Sequence, residues 1–392
     1  MRVIINGIGV AGPALAFWLH HAGHEVTLVE TAPALRTAGY VIDFWGLGYD
    51  IAERMGLVDE IRSLGYQMEE VRFVNREGET NGGFGVDVFR RMTHDRFTSV
   101  RRSDISATIY RAIEGRVESI FGDSVAAIEE GGDFVHVSFD HAPSRDADLV
   151  IGADGLHSRV RQIAFGGGAA FDAPLGYHVA AFEANGYRPR EELVYVSHGL
   201  PGRQISRFSL RDDRTLFLFI FADRFLKGDE EPVRVLRRVF GDAGWEWPQI
   251  DAELDRAGEL YYDTVSQIHM AHWTTGRVAL IGDAAACVSL MGGEGTGLAI
   301  TEAYVLAGEL QDAGGNVAAA FARYEERLMP FLKRKQEAAK KFASSFAPDT
   351  AAGIVFRNVV TRAMDIPIIA DLALGRAVRD DIALPDYDLA AR

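Results

Sequence analysis

A single cysteine, Cys287, stands in a chain of 392 residues, so no intramolecular disulfide can form and a reducing compartment is expected. Cations are also short: 41 Lys and Arg against 56 Asp and Glu give a formal net charge of −15, which argues against the clustered basic surface that nucleic acid requires. No apolar run is long enough to span a bilayer, and a strand pattern beginning at residue 2 leads to the expectation of no signal sequence. These shortages describe a cytoplasmic protein with neither nucleic acid nor membrane as a partner, a monomer or weak homodimer. No metal site is expected. At 392 residues the chain is too large for one ordinary core, and two interleaved or sequential domains are expected.

Glycine, by contrast, is plentiful and placed with purpose. The stretch RVALIGDAAACVSLMGGEGTG, residues 277 to 297, opens with the apolar run Val278 to Ile281 and breaks at Gly282-Asp283. It ends in Gly292, Gly293, Gly295 and Gly297. A strand, a carboxylate at its carboxyl end and a bare loop before a helix allow backbone amides to approach a ligand closely. A turn without a ligand is the competing reading, and two further motifs decide against it.

The first is VIINGIGVAGPALAFWLHHAGHEVTLVE, which reads as strand, glycine turn, helix, strand and terminal acid. Gly7, Gly9 and Gly12 make the GxGxxG pattern, with one glycine for the tight turn, one for approach of a pyrophosphate and one for packing helix on sheet. Glu30 ends the second strand, where a carboxylate can accept hydrogen bonds from a ribose diol. Asn6 is read as making a local hydrogen bond at the turn. Arg36 could pair with a phosphate or ribose or be a solvated surface group. The second motif is ADLVIGADGLHSRVR, where Leu149 to Ile151 form a buried strand closed by Asp154-Gly155. A carboxylate there lies where open α/β sheets bind ligands. Between these motifs SVRRSDISATIYRAI predicts a helix capped by Ser103 or Asp104, with Arg101 and Arg102 at its entrance.

From about residue 171 to 268 the chain turns to short β-rich runs, the pattern of an antiparallel sheet inserted into an α/β domain. In RTLFLFIFAD, Phe217, Phe219 and Phe221 share one face and Leu216, Leu218 and Ile220 the other. The aromatic face could line a pocket for a planar molecule, with core packing the competing role for at least two of the three. His178, His198, His269 and His272 read as surface or structural histidines.

Taken together, these motifs resemble a group A flavoprotein monooxygenase of the para-hydroxybenzoate hydroxylase fold, close to the tetracycline-inactivating branch, nearly end to end. The resemblance implies an α/β fold with an α+β insertion: a discontinuous Rossmann-like FAD-binding domain over 1–70, 100–170 and 270–330. It further implies a β-sheet substrate domain over 71–99 and 171–269, and C-terminal helices over 331–392 bracing the two. Gly7, Gly9, Gly12 and Glu30 would hold the FAD pyrophosphate and ribose, and Arg102 would reach the flavin nucleotide. Asp154, Gly155, Ser158 and Arg161 would contact FAD and assist NAD(P)H, Asp283 would bond the ribityl or phosphate, and Gly292 to Gly297 would lie along the isoalloxazine. Asp43 and Trp45 fall where this branch builds its pocket wall. The implied chemistry is reduction of FAD by transient NAD(P)H, reaction with O2 to a flavin hydroperoxide, and oxygenation of a planar aromatic or polyketide-like molecule in a pocket that excludes water. The alternatives are a ligand-sequestering or redox-sensing FAD protein without turnover, and a Baeyer-Villiger or reductase variant of the fold. Two departures bear on this: the family carries histidine and proline where this chain has Ala286 and Leu290, and the second is expected to loosen the flavin loop.

Overall fold

The apolar runs that open the glycine motifs lie side by side. In the computed structural model, which describes residues 1–36, 40–167, 170–378 and 380–389, six strands form one sheet. Their order is Thr274–Thr275, Val278–Leu280, Leu149–Gly152, Arg2–Asn6, Glu25–Glu30 and Glu118–Phe121. All pairs are parallel except the Thr274–Thr275 edge, with Val3 opposite Leu149 and Val150 opposite Val278. The central strands are apolar and buried in one core to which Ala11–His21 and Gly295–Asp312, packed on each other, and the three-stranded sheet Val125–Glu130, Val135–Phe139 and Arg145–Ala147 all contribute. Parallel register brings the carboxyl ends of three strands distant in sequence to one rim of the sheet.

A second sheet has seven strands, in the order Tyr261–Ile268, Asp172–Asn185, Arg214–Ala222, Arg203–Leu210, Val194–Leu200, Glu70–Val74 and Thr80–Gly85. It is antiparallel apart from the pairing of Val194–Leu200 with Glu70–Val74, where the early excursion joins the later insertion. The strand Val41–Trp45 pairs with Phe97–Arg101 in a two-stranded ribbon. Val317–Phe346 packs on the turn Leu290–Gly292, and Ala351–Arg362 lies on Thr80–Gly85.

The alternation of Arg214–Ala222 is as expected, but the role of its faces is reversed. Phe217, Phe219 and Phe221 have no exposed surface and pack with Phe182, Phe240 and Trp247 beneath the helices Pro232–Phe240 and Trp247–Leu254. They are core, the role that competed with a pocket wall for at least two of the three. The aliphatic face turns the other way: Ile220 and Leu218 cluster with Leu290 and Met291 of the glycine loop. Both faces are apolar, so sidedness was settled by the partner helices, which carry strongly apolar inner faces of their own.

His198 is buried between two backbone carbonyls, its Nδ1 3.1 Å from Val74 O and its Nε2 3.1 Å from Ala243 O. Burial lowers its pKa despite these acceptors. A histidine with a depressed folded pKa contributes stability above its unfolded value of about 6.5, and that stability is lost as pH falls below it. Thermal unfolding at pH 7 and pH 5 is therefore expected to show a larger drop for the wild-type chain than for His198→Gln; equal drops would assign the acid sensitivity elsewhere.

Candidate cofactor site

At the first turn the three glycines do different work. Gly7 has φ +117°, and a Cβ there would fall into the backbone of Ala153; a Cβ at Gly12 would run into the carbonyl of Gly7. Gly9 is different, with nothing within 4 Å of where its Cβ would sit. Two glycines close the packing and the middle one faces open space. The helix behind them, Ala11–His21, starts at Val10 with no side-chain cap and no acid in its first turn, so its first N–H groups and positive dipole end have no side-chain partner. That is the donor set an anionic pyrophosphate needs.

Glu30 is buried, and its carboxylate accepts from Ile8 N at 2.8 Å and Ala32 N at 3.0 Å, with Arg36 at 3.3 Å. A carboxylate has about four lone-pair sites, so a site for a ribose hydroxyl remains. Arg36 is mostly exposed and holds Glu30 from the outside.

Asp154 is engaged more fully. It accepts from Ser158 Oγ at 2.5 Å, Asn6 Nδ2 at 3.0 Å, Arg159 N at 2.8 Å and Val160 N at 3.1 Å. With four donors on it, the group shapes the turn and caps the helix Arg159–Phe165. Beside it Gly155, at φ +78°, has open space where a Cβ would sit. Asn6 is the hub of this turn, because its Oδ1 also accepts from Val125 N at 3.1 Å. A polar residue at the end of a buried strand was the only signal, and its partners lie 119 and 148 residues away. Arg161 is buried and donates to the carbonyls of Leu156 and Ala284, tying the second motif to the third.

At the third strand end, Gly282 turns at φ +63° and its N–H donates to the buried Glu302 at 2.8 Å, which Tyr324 also reaches at 3.2 Å. Burial raises the Glu302 pKa well above its ordinary value, and this buried carboxyl anchors the turn from behind. Asp283 is thereby aimed forward, toward Gly295, Tyr40 and Arg102. Arg102 opens the helix Arg102–Arg111; the residue at its N-cap is Arg101, and Ser103 Oγ, buried without a partner, caps nothing. Arg101 is a strut, reaching Glu183 of the second sheet at 2.5 Å. Arg102 is exposed and has Tyr40, Asp283, Tyr261 and Cys287 as its charged or titratable neighbours, drawn from the rim of the first sheet and the edge strand of the second. Burial and the neighbouring Asp283 push the Cys287 thiol well above its ordinary range, which removes it as a nucleophile.

The glycine loop meets Asp283 on one side and Trp45 on the other. Gly293 lies against the Trp45 indole, Gly295 against Asp283, and Gly297 against the backbone of Trp45 and Gly48. Gly292 is packed on Ala339. At Leu290, where the resembled family has proline, Ser289 Oγ accepts from Met291 N at 3.1 Å within the turn Leu290–Gly292. Asp43 and Trp45 line a small cavity with Gly297, Glu294 and Asp380. Asp43 accepts from Ser99 Oγ at 2.5 Å, and burial raises its pKa. Among the described residues no cluster of His, Cys, Asp or Glu could hold a metal ion.

Over residues 1–335 the chain matches the family described as FAD binding domain. It is 31% identical over 397 residues to a flavin-dependent monooxygenase from an unknown prokaryotic organism, with 99% of each chain covered. Among solved structures it is similar to the tetracycline destructase Tet(51), with a TM-score of 0.82, 30% identity, and coverage of 98% of this chain and 99% of the other. HpxO of Klebsiella pneumoniae, crystallised with FAD and uric acid, shares the fold at a TM-score of 0.79 and 21% identity, covering 96% and 97%.

Proposed function

Because the chain belongs to the FAD binding domain family and is a flavin-dependent monooxygenase, we propose that it places one atom of O2 into a planar aromatic or polyketide-like small molecule, with NAD(P)H as a transient reductant. Bound FAD supplies the redox chemistry, carrying two electrons from NAD(P)H to O2 so that one oxygen atom reaches substrate and the other leaves as water. In this reading Gly9 and the uncapped start of Ala11–His21 receive the pyrophosphate, and Glu30 takes the ribose. Gly7 and Gly12 keep that turn closed. Asp154 is a positioning group for Gly155, while Arg102 and Asp283 meet the cofactor directly. Gly292, Gly293, Gly295 and Gly297 give the ring a flat seat. The six-stranded sheet is the cofactor unit, the seven-stranded sheet the substrate unit, and the helices after residue 331 brace them.

The observation that carries this reading is Arg102, a cation without a hydrogen-bonding partner among the described residues, accessible and neighbouring Asp283. In this reading Trp45, which lies against Gly293, and Leu218 and Ile220, which cluster with Leu290 and Met291, wall the substrate side of the loop, and their apolar surface suits an apolar substrate and keeps water away. No helix among the described residues is long and apolar enough to cross a membrane, and a cytoplasmic location is part of the proposal. Reconstitution with FAD is expected to give yellow protein whose NAD(P)H oxidation is stimulated by members of an aromatic panel. Under labelled O2 the product should gain one labelled atom. FAD bound without stimulated turnover on any of the panel would make the protein a binder instead.

A further inference from the structure

Beneath the glycine loop lies a buried ion cluster that the reading above does not use. Lys335, 6% exposed, sits in the long helix Val317–Phe346 with its Nζ 2.9 Å from Glu294 Oε2 and 2.8 Å from Asp380 Oδ1. Glu294 is the residue between the paired glycines, at the N-cap of Gly295–Asp312, yet its side chain caps nothing there and is turned toward Lys335. Asp380 reaches in from beyond the last helix, and its other oxygen accepts from Leu47 N at 2.8 Å at the start of Gly46–Arg54. The strand end before that helix carries Trp45, whose indole contacts Glu294 and Gly293. Gly48 is pressed so closely on Gly297 that a Cβ there would meet backbone.

We propose that Lys335 is a positioning residue for the flavin-facing loop: through Glu294 and Asp380 it locks residues 292–297 against Trp45 and Gly48. The inference rests on the reading that this loop seats FAD. Bringing an ammonium and two carboxylates out of water is costly, and removing the central cation leaves two like charges facing each other. The cost falls on the loop, because Asp380 keeps the Leu47 N–H as a partner while Glu294 keeps only the indole. Desolvation raises the pKa of Glu294 to about 7, against the pull of Lys335. The charged groups around it are Lys335 and Asp380, Asp43 on the adjoining strand, Asp50 on the helix that Asp380 caps, and Asp283 across Gly295. Of these, Asp380 is the acid that acts on Glu294 directly, so ionised Glu294 without Lys335 faces a like charge and is pushed out of place.

The test compares apo protein of the wild type, Lys335→Met, Lys335→Arg and Lys335→Met/Glu294→Gln by FAD fluorescence titration and visible circular dichroism of the bound flavin, at pH 6 and 8.5. Lys335→Met is expected to weaken FAD binding at least tenfold at pH 8.5 and less than threefold at pH 6, where Glu294 takes up a proton. Adding Glu294→Gln should restore binding at pH 8.5, and Lys335→Arg should stay within threefold of wild type. Lys335→Gln, which keeps a donor without the charge, is measured in parallel and should show the same pH dependence should the methionine variant not fold. Unchanged affinity and dichroism at both pH values would overturn the proposal and leave FAD binding itself standing, as would an equal loss at both that Glu294→Gln does not restore. A wild-type chain that takes up no FAD would overturn the reading of the site and this inference with it.

Discussion

Gly9→Ala is expected to fold as stably as the wild type and to lose FAD affinity by about a hundredfold, whereas Gly7→Ala is expected to lose both. Nothing stands within 4 Å of a Cβ at position 9, so the methyl group costs the protein alone nothing and occupies only the space assigned to pyrophosphate. At position 7 the backbone holds φ +117°, which alone penalises a side chain by about 1–3 kcal/mol. The new methyl would also strike Ala153, which cannot retreat, since its N–H donates to Asn6 O at 2.8 Å while Gly7 N donates to Val29 O at 2.7 Å. Opening that turn separates Asn6 from Asp154 and disperses the rim of the sheet. A hundredfold loss corresponds to about 2.7 kcal/mol. Calorimetric unfolding of the apo proteins and FAD titration give the two readouts. Wild-type FAD affinity in Gly9→Ala would show that the cofactor does not pass over this turn.

Phe219→Ala is expected to destabilise the chain by about 3–5 kcal/mol, the usual range for emptying an aromatic site in a packed core. The ring stacks on Phe182 at a centroid distance of 6.0 Å and meets Phe240 at 5.3 Å and Trp247 at 6.3 Å, with no exposed surface. FAD affinity of the fraction that remains folded should be unchanged, and KM for any substrate found should be unchanged as well. Leu218→Ala makes the informative contrast: its side chain faces the glycine loop, so it should alter KM with a smaller loss of stability. Denaturant unfolding together with steady-state kinetics separates the two residues. A Phe219→Ala variant of normal stability but altered KM would return the aromatic face to the pocket.

These two expectations mark where the sequence could and could not be read. The glycine turn was legible because its logic is local: a strand, three glycines at fixed spacing and an acid at the next strand end lie within 30 residues. The carboxylates at the ends of Leu149–Gly152 and Val278–Leu280 were legible in kind, since parallel strands bring their carboxyl ends to one rim. Their division of labour was not. Asp154 accepts from Asn6, Ser158 and two helix amides, a fact that depends on how a helix meets a strand far away in sequence. The faces of Arg214–Ala222 were ambiguous for another reason. Period-two alternation tells which residues point together, but not which group meets the helices when both are apolar. Lys335 and Asp380 gave no signal, because a lysine in a basic helical run reads as solvated until its partners are in place.

The order of strands in the six-stranded sheet also bears on biosynthesis. Arg2–Asn6 emerges first yet is flanked by Leu149–Gly152, which in turn waits for Val278–Leu280. On the proposed reading of the site, a nascent chain halted before residue 278 has its GxGxxG turn but neither Asp283 nor the loop beyond it, so the prosthetic group would not be gripped from both ends while translation is under way. Loading is thus a late event in the life of the polypeptide, and until then the apolar edge left by the missing strand lies open to chaperones or to aggregation.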